Sequence, residues 1–397
     1  MRRKRFPLLI TSSLRIMVAF TFGMLLQSRF NDVGASVLVI SLISTINGGV
    51  SSVASAVWGA ISDEKEKRRG MLTLVVALAA CVYPLFAVTD NQVILLMFVA
   101  LLAFFKMGYP PISMALSSEY SEGEIKSTSR ELSFLNTANS IGMLIGRVSL
   151  SIFFLFNTSK TAIILFSIIA WGPVITSLFI KEGNRVYKKK KKTTFIKRIF
   201  PIASDFSPLK KNGLWAIYLG SFLRQFGING TMAAILVFMT DDLLLSYSLA
   251  VLLSSLNPFM QMFSHILSGK FIGRVGSKIS TISGISISSL APLSFLFADN
   301  WMMMAVGYLF LGLGFGAFIN GASTFISING PSERRAEFMG LLTSMRAFGA
   351  MLGPVVSGLI ANQSFRYMFV FMVVVMLSGA MTVFFFSHEK RPVAEGS

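Results

Sequence analysis

A single cysteine, Cys81, and two histidines, His265 and His388, are all that the 397-residue chain has of either residue type. One thiol closes no intramolecular disulfide, and the three residues are too few for a His/Cys metal cluster. Acid is also scarce, with 18 Asp and Glu against 36 Lys and Arg, a formal net charge of +18. No GxxxxGK[ST] phosphate loop occurs, which argues against ATP drive within this chain. No nucleophile and base pair or metal set emerges, so the chain reads as a non-enzyme with no cofactor.

What is abundant is apolar. Hydrophobic residues make up 53% of the chain and charged residues 14%, and the mean hydropathy is +0.68. The apolar residues fall in twelve continuous blocks: 7–27, 35–60, 71–88, 93–116, 132–156, 161–180, 214–239, 243–266, 279–298, 301–326, 338–361 and 365–386. Most reach the ~20 residues that a helix needs to cross the hydrocarbon of a bilayer. Strict alternation, which an outer-membrane barrel requires, is missing. The expectation is an all-α membrane protein of twelve transmembrane helices. The first block follows MRRKRF, contains Arg15 and lacks a small-residue cleavage site, so it reads as an uncleaved first helix rather than a signal peptide.

The chain repeats itself at about half its length. GAISDEKEKRRG from Gly59 is echoed by GKFIGRVGSK from Gly269, 210 residues on; SSLRIMVAF around Arg15 by SFLRQFGIN around Arg224, 209 on; and GMLIGRV from Gly142 by GAMLGPV from Gly349, 207 on. Duplicated halves are a common way to build transporters. The expected division is an N-terminal six-helix bundle over 1–180, a basic cytoplasmic linker over 181–211 and a C-terminal six-helix bundle with a short tail over 212–397.

Charge sets the orientation. Twenty-eight of the 36 Lys and Arg fall on one side of the expected membrane, and only Arg29, Lys160 and Arg366 on the other. The basic side is cytoplasmic by the positive-inside rule, so both termini are expected inside, in the cell (inner) membrane. These short loops offer no folded basic face, and no nucleic-acid partner is expected. In the linker, after Lys188 to Lys192, Phe195, Ile196, Ile199 and Phe200 share one helical face, with Lys197 and Arg198 off it. This reads either as a short helix lying in the lipid interface or as a solvated linker that only sets topology. Membrane lipid and a small-molecule solute are the expected partners of a monomer.

Two six-helix halves, cytoplasmic termini, a basic central loop and a GxxxD element between the second and third spans together resemble the major facilitator superfamily. Gly59, Asp63, Lys67, Arg68 and Arg69 match that family's loop motif; Glu64 and Glu66 depart from it. The second copy keeps Gly269, Arg274, Gly276 and Lys278, with Gly273 in the Asp position. The resemblance implies a cytoplasmic gate at Gly59, Asp63, Arg68, Arg69, Gly269 and Arg274, with the carboxylate near the N-terminus of the eleventh span. The alternative is a solvated loop that only orients the protein. The antiporter GxxxGP element is matched by Gly142 and Gly146, but with Arg147 in place of Pro, and fully by Gly349, Gly353 and Pro354.

Five ionisable residues fall inside the apolar blocks, all basic: Arg15, Lys106, Arg147, Arg224 and Arg346. A charge there costs at least ~2.5 kcal/mol and normally faces a bundle interior or a polar cavity. No carboxylate is placed at the midplane to carry a proton. These cations, with Asn229 and Asn320, are the candidate substrate contacts, and a carboxylate or phosphate bridged by Arg15 and Arg224 is the sharpest expectation. Further uncharged candidates are Asn47, Asn139, Asn257 and Gln261, with the aromatic Tyr109 and Tyr218 as weaker choices. The competing reading makes the arginines structural, bonded to helix-end carbonyls and nearby amides. The function expected is secondary transport of a small organic, preferably anionic, solute by alternating access. The alternatives are a multidrug-type exporter of amphiphiles, or a non-pumping receptor or lipid-handling protein on the same fold.

Overall fold

A computed structural model describes residues 2–64, 68–120, 125–182, 207–330 and 335–389. The Lys188 to Lys192 run and the amphipathic Phe195 to Phe200 segment lie outside them. Every regular element among the described residues is helical, as hydrocarbon demands of a chain that must satisfy its own backbone. The first half holds α1 (Arg2–Asp32), α2 (Val37–Glu64), α3 (Arg68–Val82, extended by a 3₁₀ turn Tyr83–Ala87), α4 (Gln92–Lys106), α5 (Tyr109–Glu119), α6 (Ile125–Phe153), α7 (Ser159–Ile169) and α8 (Gly172–Ser177). The second half holds α9 (Leu214–Met232), α10 (Tyr247–Ser254), α11 (Leu256–Val275), α12 (Ser277–Leu296), α13 (Trp301–Asn329), α14 (Arg335–Ala361) and α15 (Phe365–Phe386).

Among the described residues nine helices are long and apolar enough to cross a membrane. A tenth span is the pair Leu214–Met232 and Ile235–Asp242, bent by 44°. The fifth and eighth expected spans are helical too, as α6 and as α10 with α11. The first of these is polar over much of its length, and the second is broken at Ser255, where the hydroxyl bonds back to the Leu252 carbonyl at 2.6 Å. Twelve spans therefore stand, but several are in pieces. The seventh was expected as one run, 214–239. It bends because the Leu236 N–H leaves the helical ladder and donates to Gln27 Oε1 at 3.2 Å, a side-chain insertion of the kind that kinks helices.

The residues cluster into two compact units, one of Met1–Pro201 with Ala234–Pro258, the other of Ile202–Ala233 with Phe259–Ser397. In the first unit Trp58, Leu72, Val75, Ile112 and Leu116 form a core. There Gly142 and Gly146 let α6 lie against α1 so closely that an added Cβ would stand 2.1 Å from the Ser13 carbonyl oxygen and 2.5 Å from that of Met17. In the second unit Ile217, Ile285, Phe318, Ala322 and Phe325 play the core role. Gly349 and Gly353 meet the carbonyls of Phe222 and Phe226 at 2.4 and 2.2 Å in the same sense. Small residues are what bring helices together where lipid supplies no hydrophobic drive.

Other joints recur with the repeat. Asn91 caps α4 by accepting from the Val93 and Ile94 N–H groups, and Asn300, 209 residues on, caps α13 by accepting from Met302. Arg29 donates to the Phe86 and Thr89 carbonyls and to Asp90, while Arg366 donates to the Leu296 and Ala298 carbonyls and to Asp299, again 209 residues beyond Asp90.

Candidate functional site

The fourth span is interrupted by sequence chemistry. Pro110 and Pro111 carry no N–H, so the carbonyls of Lys106 and Met107 lose the donors that a continuous helix would supply. The helix stops at Lys106 and restarts at Tyr109. Arg15, from α1, fills part of the deficit: its Nη2 donates to the Lys106 carbonyl at 2.8 Å. Its guanidinium carbon lies 5.0 Å from the centre of the Tyr109 ring, within cation–π range. The Tyr109 hydroxyl is held by Ser12 Oγ at 2.6 Å.

Beside this junction, within the first unit, is a small pocket with a cavity volume of about 20 Å³. Arg15, Lys106, Tyr83 and Tyr109 supply its polar groups, and Val18, Val75, Val76, Ala79, Ala170 and Pro173 the rest. Among the described residues the Lys106 ammonium has no hydrogen-bond partner, and no carboxylate lines the pocket. Two of the five expected cations are thus brought together around one small, mostly apolar space.

Arg224 has a different setting. It is 1% exposed, and its Nε and Nη2 donate to Ser288 Oγ at 3.2 and 2.9 Å. Its guanidinium carbon lies 4.2 Å from the centre of the Phe318 ring. Arg346 stands near the same aromatic pair, 5.9 Å from both the Phe315 and Phe318 centres, and its Nε is buried without a partner among the described residues. Arg15 and Arg224 each find these partners inside their own unit.

The remaining candidates disperse. Arg147 is buried against the Phe20 ring at 4.5 Å, in the α1–α6 contact and away from the Lys106 pocket. Asn229 Nδ2 bonds the Gln225 carbonyl at 3.0 Å, one turn back on its own helix. Asn320 Nδ2 bonds Ser268 Oγ at 2.6 Å, tying α13 to α11.

Of the expected gate, Gly59 and Asp63 fall in the last turns of α2, and the side chain of Asp63 lies outside what the structure describes, as does the start of the eleventh span. Arg68 is buried and donates to Ser62 Oγ at 3.0 Å. Arg69 is exposed, and its backbone N–H donates to Glu182 Oε1 at 2.9 Å. Gly269 has open space around it, and Arg274 is exposed in the last turn of α11.

Two features escaped the sequence reading. The ring under each arginine is one: Tyr109 follows Arg15 by 94 residues, and Phe318 follows Arg224 by the same 94. The other is a carboxylate just past the last span of each half. Glu182 meets the first turn of α3, and Glu389 accepts from the Ser277 and Lys278 N–H groups at 2.7 and 3.1 Å in the first turn of α12. The signal was present as FIKE at 179–182 and FSHE at 386–389.

Comparison with known proteins gives a consistent set. The family model described as Major Facilitator Superfamily matches residues 8–223 and again 217–397. YhjO of Bacillus subtilis, an uncharacterized MFS-type transporter, is 26% identical over 149 residues, covering 36% of this chain and 37% of its own length. The quinolone resistance protein NorA of Staphylococcus aureus is 23% identical over 158 residues, 40% of each. These alignments span well under half of either relative. Among solved structures, the nucleoside transporter NupG superposes with a TM-score of 0.79 at 15% identity, over 98% of this chain and 100% of its own. A bacterial homolog of the human lysosomal transporter Spinster, inward-facing and occupied, gives 0.74 at 14% identity over 95% of both. At these identities the structures attest the fold.

Proposed function

This chain belongs to the Major Facilitator Superfamily, whose members are multi-pass membrane transporters and generally not enzymes, and on that premise we propose that it carries a small organic anion across the cell membrane. The observation that carries the reading is the pocket of the first unit, where Arg15 and Lys106 meet with no acid among the lining residues. Two cations without a counter-charge, in a site walled by aliphatic side chains, favour an anionic group on the solute. In this reading the solute binds near the midplane, and the halves 1–180 and 212–397 move against each other in a monomer with both termini in the cytoplasm. Arg346 stands as a separate candidate within the second unit, since its Nε has no partner among the described residues. Gly59, Asp63, Arg68, Arg69, Gly269 and Arg274 serve as the cytoplasmic gate.

The test is the melting temperature of the purified protein against organic anions, cations and neutral amphiphiles, repeated with Lys106→Met. A ligand that binds only the folded state raises the midpoint. Stabilisation by anions that disappears in Lys106→Met supports the reading, and uptake of the stabilising anion into proteoliposomes completes it. A second reading, export of amphiphilic drugs, is favoured by the similarity to the quinolone resistance protein. It predicts stabilisation by cationic or neutral amphiphiles, unchanged in Lys106→Met.

A further inference from the structure

Gln27 lies in the last turns of α1 and is 7% exposed. Its Oε1 accepts from the Leu236 N–H at 3.2 Å, and Leu236 stands 209 residues on, the shift that relates the repeats around Arg15 and Arg224. The first and seventh spans therefore touch at equivalent positions, yet only one of them bends. Leucine has no side-chain acceptor with which to return the bond, so α1 runs unbroken from Arg2 to Asp32 while the seventh span turns by 44° between Met232 and Ile235. Past the bend, further ties join the same pieces of the first unit. Asn31 Nδ2 donates to Asp241 Oδ1 at 3.3 Å and to the Tyr247 hydroxyl at 3.2 Å, and that hydroxyl donates to Asp32 Oδ1 at 3.3 Å. Asp32 and Asp241 are exposed, so water can stand in for these ties; the Gln27 bond is buried.

Resting on the alternating-access reading, and not on the charge of the solute, we infer that Gln27 is the positioning residue of the outer gate: its amide oxygen decides whether the seventh span is bent or straight. In a straight helix the Leu236 N–H donates to the carbonyl four residues back, that of Met232. An N–H left with neither acceptor is heavily penalised in hydrocarbon. The span therefore takes one form or the other rather than a range between them, which is what a two-state element requires. Bent, residues 235–242 are bonded to the end of α1 that the charge distribution places outside. Straight, the N–H leaves Gln27, the segment swings off α1, and that side opens to the solute. The N–H is bonded in both forms, so the exchange is cheap, and a single side chain sets its balance.

The experiment measures the distance between nitroxide labels on Val88→Cys and Leu244→Cys, two exposed positions of the first unit, in the full-length protein reconstituted in lipid with Cys81 replaced by serine. With Gln27 in place, a dominant shorter distance and a minor longer one are expected. Gln27→Met keeps the reach of the side chain and removes the acceptor; it should raise the ratio of longer to shorter about tenfold. Gln27→Glu keeps an oxygen at the same reach and should leave the ratio where it was. Leu236→Pro has no N–H to hand back, and its ring would strike the Met232 carbonyl in a straight span, so it should show the shorter distance alone. Asn31→Leu, at the wetter edge, should move the ratio less than Gln27→Met does. A longer distance in Leu236→Pro overturns the inference, and that variant decides alone if Gln27→Met does not fold. A lower melting temperature in Gln27→Met with the ratio unchanged makes Gln27 a packing residue and also overturns it. If both distances are present and respond to neither variant, alternating access stands and this inference falls. A single distance in every protein takes down both.

Discussion

Arg15 and Arg224 hold corresponding places in the repeat, and a proline separates their fates. Pro110 frees the Lys106 carbonyl for Arg15 and breaks the helix beside a pocket. The corresponding position, Ile319, lies inside the unbroken α13, so Arg224 has no freed carbonyl and takes Ser288 instead. This setting predicts a packing role for Arg224: Arg224→Ala removes two hydrogen bonds and a buried cation–π contact. It is expected to cost about 2 kcal/mol or more, read as a lower melting temperature and less folded protein, while Lys106→Met melts normally. At the outer side, Asp90 accepts from Arg29 and Lys160, and these bonds, Arg29 first, hold its carboxyl below the ordinary range. A depressed folded-state value means stability that is present above the unfolded value, about 4, and lost as pH falls below it. Asp90→Asn should therefore lower the melting temperature slightly at neutral pH, leave it unchanged at low pH and so flatten the acid limb by the same amount, a small effect because the group is exposed.

At the scale of elements, the glycine pairs on α6 and α14 set how near the first and seventh spans can lie. Gly146→Ala and Gly353→Ala push a methyl into a carbonyl of the facing helix and should each destabilise by about 1–3 kcal/mol. Gly273→Ala, with nothing within 4 Å, should be neutral or stabilise by up to about 1 kcal/mol. Folded yield after detergent extraction separates the two outcomes. Much of this level was legible in the chain: continuous apolar runs have no alternative in lipid but helices, and GMLIGRV with GAMLGPV marked the tight contacts. The breaks were less legible. Pro110 and Pro111 announced a kink, but the bend after Met232 depends on Gln27, 209 residues before Leu236, and no local pattern encodes that bond. For the same reason five cations inside apolar runs could be picked out by hydropathy, while their sorting into a pocket pair, an aromatic-stacked pair and the dispersed Arg147 depends on which faces the helices turn to one another.

For the whole molecule, the placement of twenty-eight basic residues on one side predicts which loops face the cytoplasm. With Cys81 replaced by serine, Asn91→Cys should react with a membrane-impermeant maleimide on intact cells, and Lys270→Cys only after lysis. The reverse pattern would invert the topology. The carboxylates just past the last span of each half carry a different implication. Glu182 bonds back to the start of α3 and Glu389 to the start of α12, so in each half a residue just past the last span ties back to the third span of that half. Moreover, Ala234–Pro258 belongs with the first unit although the second half encodes it. A chain severed between 183 and 206 would then leave two polypeptides that complete one compact unit jointly, so covalent continuity is a convenience of synthesis, and a gene split in two at that point would still specify one transporter.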